Sequence, residues 1–277
     1  MLSAAAFIIA VVTGFILAVP YDPYKARESI QIIMISNPSA SFIRSAHYWS
    51  SQFFLIFTII HFFEYFLYSG EKKISKGVWI RLVTAIPVAL FVMLSGFILK
   101  GDNEGIMANE ILRGIISLVP FIGNYLESFL LGIRNSLHVV YVHHAATATI
   151  YLIIVIIEHT KKIWPTIYSY LYILSSTIII SFAIPATLHS DADSVLKGPW
   201  YFVGLQEILH WMSSPQYVIY IMLILFFLII LLRYTDNIIH KYIKYILIIN
   251  FIVYFISFII GWFFRGENWK FIIPGFN

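Results

Sequence analysis

The stretch HHAATATIYLIIVIIEH, residues 143–159, decides how this chain is read. Histidines stand at both ends of a run that carries no charge before Glu158. About 20 apolar residues suffice for a helix to cross a bilayer. An ionisable side chain placed inside such a helix is costly and marks function. The stretch therefore asks whether the chain is a membrane protein, and what its histidines hold.

Working outward settles the first question. Charge-free runs cover 1–21, 45–63, 82–99, 135–157, 163–190, 208–232 and 245–264, each of 18 or more residues. Charged residues are 12% of the 277, against about 25% in a soluble domain. Only helices and closed barrels satisfy their backbone in lipid, and no period-two alternation appears, so helices are expected. The fold class expected is an all-α membrane protein with seven transmembrane helices. They are A over 3–19, B over 45–67, C over 79–99, D over 135–158, E over 166–185, F over 216–232 and G over 245–263. The first apolar run lacks a basic flank and is too long for a signal core, so it is read as helix A. A four-helix bundle (A–D, residues 1–162) would be followed by three further helices (E–G, residues 163–277).

Orientation follows from the short loops. The B–C loop (Lys72, Lys73, Lys76, Arg81), the D–E loop (Lys161, Lys162) and the F–G loop (Arg233, Lys241, Lys244) hold nine of the 18 Lys/Arg. The longer opposite loops carry ten of the 14 acids. By the positive-inside rule the basic loops are cytoplasmic, so the N-terminus is expected inside and the C-terminus outside. The net charge of +4 is thereby explained without nucleic acid. With no cysteine, disulfides, thiolate metal ligands and thioether-bound haem are excluded. The C–D connection is apolar at helical spacing and predicts amphipathic helices at the outer interface, broken near Pro120 and Gly123. No strong internal repeat stands out.

The histidines answer the second question. His47 and His61 lie 14 apart on helix B, so they share one face about 21 Å apart along the axis. On helix D, His144 and His159 are 15 apart, about 60° off one face and about 22 Å apart. His143 to His159 turns through roughly 160°, and His138 to His159 would span about 31 Å, so spacing selects His144. Facing each other, the two helices would make two stacked sites, His47 with His144 towards the outside and His61 with His159 towards the cytoplasm. A single membrane histidine more often bonds a neighbouring helix, but four in register suit two six-coordinate haem irons with no open position. His138 and His143 are expected to bond locally, and His189, His210 and His240 to be solvated.

With these residues in place, the sequence resembles the cytochrome b family of quinol:cytochrome c oxidoreductases, including the form split into a cytochrome b and a subunit IV. TGFILAVPYDP is similar to the family's TG-x-x-LA-x-x-Y-x-P, and RSAHYW to its R-x-x-H, with the second ligand 14 further on. SGFILKGD stands where the family has GY-x-LPW, LVPFIG where it has IP-x-IG, and KGPWYF where it has PEWY. The resemblance implies two non-covalent b-type haems. His47 and His144 would ligate the low-potential one near the outer side, and His61 and His159 the high-potential one near the cytoplasm. It further implies that Arg44 pairs a haem propionate and that Gly14 and Gly96 let the porphyrin approach the backbone. An interface cation and small-residue helix packing are the plainer readings of the same residues.

Departures are as informative. Gly198-Pro199-Trp200-Tyr201 lacks the glutamate that serves the family's outer quinol site. Glu207, His210 or Glu104 are the candidates to replace it, and each also reads as an ordinary interface charge. Arg134 stands ten residues before the ligand rather than five, and is not carried over. The function expected is a dihaem b subunit of a membrane quinol/quinone oxidoreductase complex, with Q-cycle bifurcation open. Its outer quinone pocket would lie at Gly198–Tyr201 and its inner one near Lys161 and Asp236. Expected partners are lipid, quinone and c-type cytochrome or iron–sulfur subunits in a bacterial or archaeal plasma membrane, and a homodimer is compatible. The alternatives are a dihaem anchor of a dehydrogenase or hydrogenase, and a haem-free transporter relaying protons through histidines, for which no inverted repeat is visible.

Overall fold

The computed structural model describes residues 1–161, 164–189 and 196–273, and they form two compact units, each built from helices. One unit comprises 1–100 and 134–188, the other 101–133 and 189–277. Four helices are long and apolar enough to cross a membrane: Pro38–Leu67, Lys76–Ile98, His138–Thr160 and Ile238–Phe263. Leu2–Ala18, Ile167–Ala183 and Pro215–Leu231 are shorter apolar helices.

The first unit holds α1 (Leu2–Ala18), α2 (Ala26–Ser36), α3 (Pro38–Leu67), α4 (Lys76–Ile98), the helix α7 (His138–Val142) to α8 (Ala148–Thr160), and α9 (Ile167–Ala183). Helix α3 starts seven residues before the expected helix B. The Asn37 side chain accepts the Ser39 N–H at 2.8 Å and Pro38 occupies the first turn, where its missing N–H costs nothing. A charge-free window cannot see this start, because Arg44 interrupts it. Helix α2 was not anticipated; its isoleucines at 30 and 33 are buried while Arg27 and Glu28 mark its polar side.

Small residues let α1 lie close along α3: Ala4, Ala5, Ala6 and Ala10 are buried, Ser3 and Thr58 hydroxyls meet at 2.6 Å, and Phe7 packs on Phe54. Helix α4 pairs with α8 through polar contacts instead, Arg81 with Glu158 and Thr84 with Tyr151. Among α1, α3, α4 and α8, the packing falls mainly within two pairs, α1 with α3 and α4 with α8. Helix α9 covers α3 and α1, burying Ile173 and Thr177 and stacking Phe182 on Phe42.

The second unit contains α5 (Asn103–Ser117), α6 (Gly123–Leu131), α10 (Trp200–Trp211), α11 (Pro215–Leu231) and α12 (Asn237–Phe263). The connection expected to break near Pro120 and Gly123 does so, giving α5 and α6. Buried Arg113 joins them, donating to Glu127 at 3.1 Å and to the carbonyls of Leu131 and Gly132. Those carbonyls lie at the end of α6, where a helix leaves its C=O groups unpaired. Gly204 and Gly261 bring α10 against α12, each meeting a neighbour at a distance that leaves no room for a Cβ. Helix α12 begins eight residues before the expected helix G, because Lys241 and Lys244 lie within its first turns.

Candidate functional site

The histidine pairs expected from spacing are formed. His47 and His144 rings lie 6.2 Å apart between centroids with planes at 82°, and His61 and His159 lie 6.0 Å apart at 65°. An imidazole nitrogen binds a first-row metal ion at about 2.0–2.1 Å and sits roughly 1.1 Å from its ring centroid, so two trans imidazoles on one ion place their centroids roughly 6.3 Å apart. Both pairs match that separation. Each takes one ring from α3 and one from the α7–α8 helix, so the imidazoles bridge the two closely packed helix pairs.

The 60° mismatch expected on the fourth helix has a structural answer. Residues His143–Thr147 form a π-turn, with the Ala148 N–H donating to the His143 carbonyl five residues back and the Thr149 hydroxyl donating to the His144 carbonyl. A π-turn takes in one extra residue without advancing the helix phase. Fifteen residues then rotate as about 14 do in a regular helix, which matches the phase of His47 and His61 on α3. The adjacent histidines separate as well: His144 faces His47, while His143 is buried edge-on against Phe91 of α4.

Behind the His47–His144 pair the two helix pairs repeat one arrangement. His47 Nδ1 lies 2.9 Å from the Ala10 carbonyl and 3.3 Å from Thr13 Oγ1. His144 Nδ1 lies 3.0 Å from the Val92 carbonyl and 3.0 Å from Ser95 Oγ. A carbonyl can only accept, so each Nδ1 carries its hydrogen and each Nε2 keeps the lone pair a metal needs. The next residue is glycine in both helices. A Cβ on Gly14 would lie 2.7 Å from His47 Cε1, and one on Gly96 2.9 Å from His144 Cε1. Spacing alone missed Thr13 and Ser95. The signal was nonetheless present, because Thr13-Gly-Phe-Ile-Leu and Ser95-Gly-Phe-Ile-Leu are nearly the same five residues on two helices.

These features fit a haem between each histidine pair. The ring separations would accommodate one iron between each pair, the His47–His144 pair has its tautomer fixed so that Nε2 could ligate, and the glycines leave the space the imidazoles occupy. Apolar α-helical walls, and an iron whose two open positions both imidazoles would fill, would suit one-electron transfer.

The other candidates are distributed as follows. Arg44 donates to the carbonyls of Ala186 and Thr187, and with Trp49 (to Ile184 O, 2.7 Å) and Ser45 (from Ala186 N, 3.1 Å) it straps the 184–187 segment to α3. Glu104 is buried with a carboxylate oxygen 3.0 Å from His189 Nδ1, while Asp102 caps α5 and accepts the His189 backbone N–H at 3.1 Å. Glu207 is fully buried and accepts from Arg265 at 2.7 Å and from the Trp269 indole at 2.7 Å. Burial pushes its carboxyl pKa up, but the Arg265 and Trp269 hydrogen bonds outweigh it and hold the group below the ordinary range. His210 is exposed on α10. Gly198 N donates to Gln206 Oε1 at 3.0 Å, Trp200 packs edge-on to Tyr201, and the Tyr201 carbonyl accepts from Tyr254. His138 stacks on Tyr24, and His240 Nδ1 bonds the Leu232 carbonyl at 3.1 Å. An apolar cleft of about 250 Å³ opens between α1 and α8, lined by Phe7, Val11, Val12, Ile153, Ile157 and Trp164. Lys161 follows α8, Asp236 precedes α12, and Lys162 lies outside the described residues.

Comparison with known proteins bears on the family and the fold. The family model described as cytochrome b/b6/petB matches residues 1–167. Cytochrome b6 of Synechococcus sp. (strain RCC307) is 30% identical over 128 residues, 46% of this chain and 59% of the relative. Cytochrome b6 of Trichodesmium erythraeum (strain IMS101) is also 30% identical over 128 residues, 46% of this chain and 58% of the relative. The matched region thus spans under two thirds of the curated relatives' length. A chain of a hyperthermophilic respiratory Complex III superposes with a TM-score of 0.70 at 20% identity, covering 94% of this chain and 82% of that one. At that identity the likeness is one of fold.

Proposed function

This chain belongs to the cytochrome b family, and we propose that it is the dihaem b subunit of a membrane quinol/quinone oxidoreductase complex. It is an integral membrane protein of electron transport, with an all-helical fold. The reading goes further: His47 and His144 ligate an outer haem, and His61 and His159 a cytoplasmic one. The observation that carries it is the pair of facing imidazoles repeated at two levels, 6.2 and 6.0 Å between centroids. Each haem would supply one-electron iron chemistry between imidazoles that leave no open position.

The chain's own residues do the rest. Four imidazoles fix the two levels about 21 Å apart along α3. Carbonyls of Ala10 and Val92 hold the outer ligands in the metal-binding tautomer. Seven spans, with the basic loops cytoplasmic, put the His61–His159 pair near the cytoplasm and the His47–His144 pair near the outside. The N-terminus is then cytoplasmic and the C-terminus outside. Residues 1–162 form the haem-binding part and 163–277 the subunit IV-like part.

Quinone would meet the chain at either surface. The outer pocket is assigned to Gly198–Tyr201 and the α5–α6 connection. Of the candidate proton acceptors there, Glu207 is saturated by a guanidinium and an indole, which disfavours proton uptake. Glu104 with His189 is the better-equipped pair, because its carboxylate and imidazole lie 3.0 Å apart with the imidazole partly exposed, a geometry through which a proton can pass. The cleft beside Phe7 and Trp164 is the inner candidate, with an apolar lining suited to an isoprenoid tail. Arg44 keeps a propionate role in this reading, shared with the 184–187 strap. Partner redox subunits, of c-type or iron–sulfur chemistry, would take or deliver the electrons.

A reduced-minus-oxidised spectrum of purified protein tests the reading. Two b-type haems per chain are expected, with one lost in His144→Ala and none in His143→Ala. Absence of a b-type band, or a haem lost from His143→Ala instead, would refute it.

A further inference from the structure

The outer histidines differ from the cytoplasmic ones in what stands behind them. Each outer Nδ1–H meets two acceptors, a helix carbonyl and a hydroxyl. The hydroxyls are not free to turn around. Thr13 Oγ1 lies 2.8 Å from the Ile9 carbonyl, and Ser95 Oγ lies 2.9 Å from the Val92 carbonyl. A carbonyl has no hydrogen to give, so each hydroxyl spends its only hydrogen on its own helix. Each hydroxyl oxygen is thereby left to accept from the imidazole. Among the described residues, neither ring nitrogen of His61 or His159 has a hydrogen-bond partner; His61 instead packs on the Tyr65 ring at 4.6 Å.

Resting on the dihaem reading above, we propose that Thr13 and Ser95 are positioning residues that set the donor strength of His47 and His144, and so the redox potential of the outer haem relative to the cytoplasmic one. Hydrogen bonds accepted from Nδ1–H draw that hydrogen away from the ring and make the opposite nitrogen a more basic ligand. A more basic axial ligand stabilises ferric over ferrous iron, and axial-ligand hydrogen bonding is one of the levers a protein has on haem potential. Two acceptors on each of two ligands act in the same direction. The outer potential falls, and electrons are favoured to move from the outer level to the cytoplasmic one.

The two helices deliver this identically. Ala10, Thr13 and Gly14 serve His47, and Val92, Ser95 and Gly96 serve His144, at the same offsets of three and four residues. The glycine after each hydroxyl admits the ring to within hydrogen-bond reach of the helix backbone, and the hydroxyl then meets the ring nitrogen. Packing alone would need the glycine but not the hydroxyl, because alanine or valine would fill the same place.

Equilibrium redox titration of the purified full chain, followed in the haem α-band, tests this. Thr13→Val and Ser95→Ala remove one hydroxyl each with little change in volume, and Ser95→Thr restores one. The outer component is identified as the one lost in His144→Leu. Each removal should shift that component's midpoint positive, and the double variant by about tenfold in the ferric-to-ferrous ratio, about 59 mV for one electron. The other component should not move, and Ser95→Thr should track the unaltered protein. Two retained haems with an unmoved outer midpoint would overturn the proposal, as would loss of the outer haem from both single variants, which marks packing. Either result leaves the dihaem reading intact. That reading fails separately, if the unaltered protein shows no b-type haem.

Discussion

Replacing Gly96 by alanine puts a methyl carbon 2.9 Å from Cε1 of His144. Carbon atoms settle at about 3.5–4.0 Å, so the ring must retreat from α4 by roughly 0.6 Å or more. Its Nδ1 now lies 3.0 Å from both the Val92 carbonyl and Ser95 Oγ. The same retreat stretches both bonds to about 3.6 Å, past the useful range for N–H···O. Nε2 travels with the ring, and ligand constellations tolerate only about 0.5 Å of misplacement. Gly14→Ala is tighter still, with 2.7 Å to His47 Cε1 and roughly 0.8 Å of retreat required. Loss of the outer-shell partners typically weakens metal affinity by about 10–100-fold. Haem per chain, measured by extraction and by the amplitude of the reduced α-band, should fall from two towards one in either variant. The remaining haem should keep its spectrum. Gly114→Ala is the control, because nothing lies within 4 Å of a Cβ there. Two haems per chain with unaltered spectra in both Gly14→Ala and Gly96→Ala would refute the idea that these glycines make room for the axial imidazoles.

Two other outcomes follow from the same geometry. Deleting Ala146 removes the extra residue of the π-turn and makes the spacing 14, the value on α3, so both haems should be retained. Adding a residue there should rotate His159 by about 100° and cost the cytoplasmic haem, read from haem stoichiometry. Glu207→Gln leaves the largely enclosed Arg265 guanidinium without its charge partner and should destabilise the second unit by up to about 3 kcal/mol in thermal or denaturant unfolding. The Glu207 carboxyl is depressed in the folded state. Its stabilisation is therefore present above the unfolded pKa of about 4.3 and lost as pH falls through the folded value, a dependence the glutamine variant should lack.

Much of this molecule was legible one residue at a time. Charge-free runs identify apolar helices because lipid offers the backbone no partner, whatever the neighbouring helices are. The spacing of 14 on α3 places two imidazoles on one face because helix geometry is local. Pro120 and Gly123 break the connection between α4 and α7 for the same local reason. Helix starts were less legible, since Asn37 and Pro38 begin α3 through a cap rather than through hydropathy.

The site needed the tertiary structure wherever an interaction joins distant residues. The partners of His47 Nδ1 lie 34 and 37 residues away, and Glu207 meets Arg265 across 58. No window of sequence couples those positions. Arg44 looked like an anion partner from its place before His47, yet it also holds backbone carbonyls 142 and 143 residues away. The segment HHAATATIYLIIVIIEH shows the division plainly. Its sequence determined that a membrane helix carries histidines near each end, because composition and rise per residue are local properties. Only the tertiary structure decided that a π-turn at His143–Thr147 absorbs the odd residue, turning His144 to His47 and His143 to Phe91. A helix adopts that turn when packing on both sides of it demands a phase that a regular helix cannot supply.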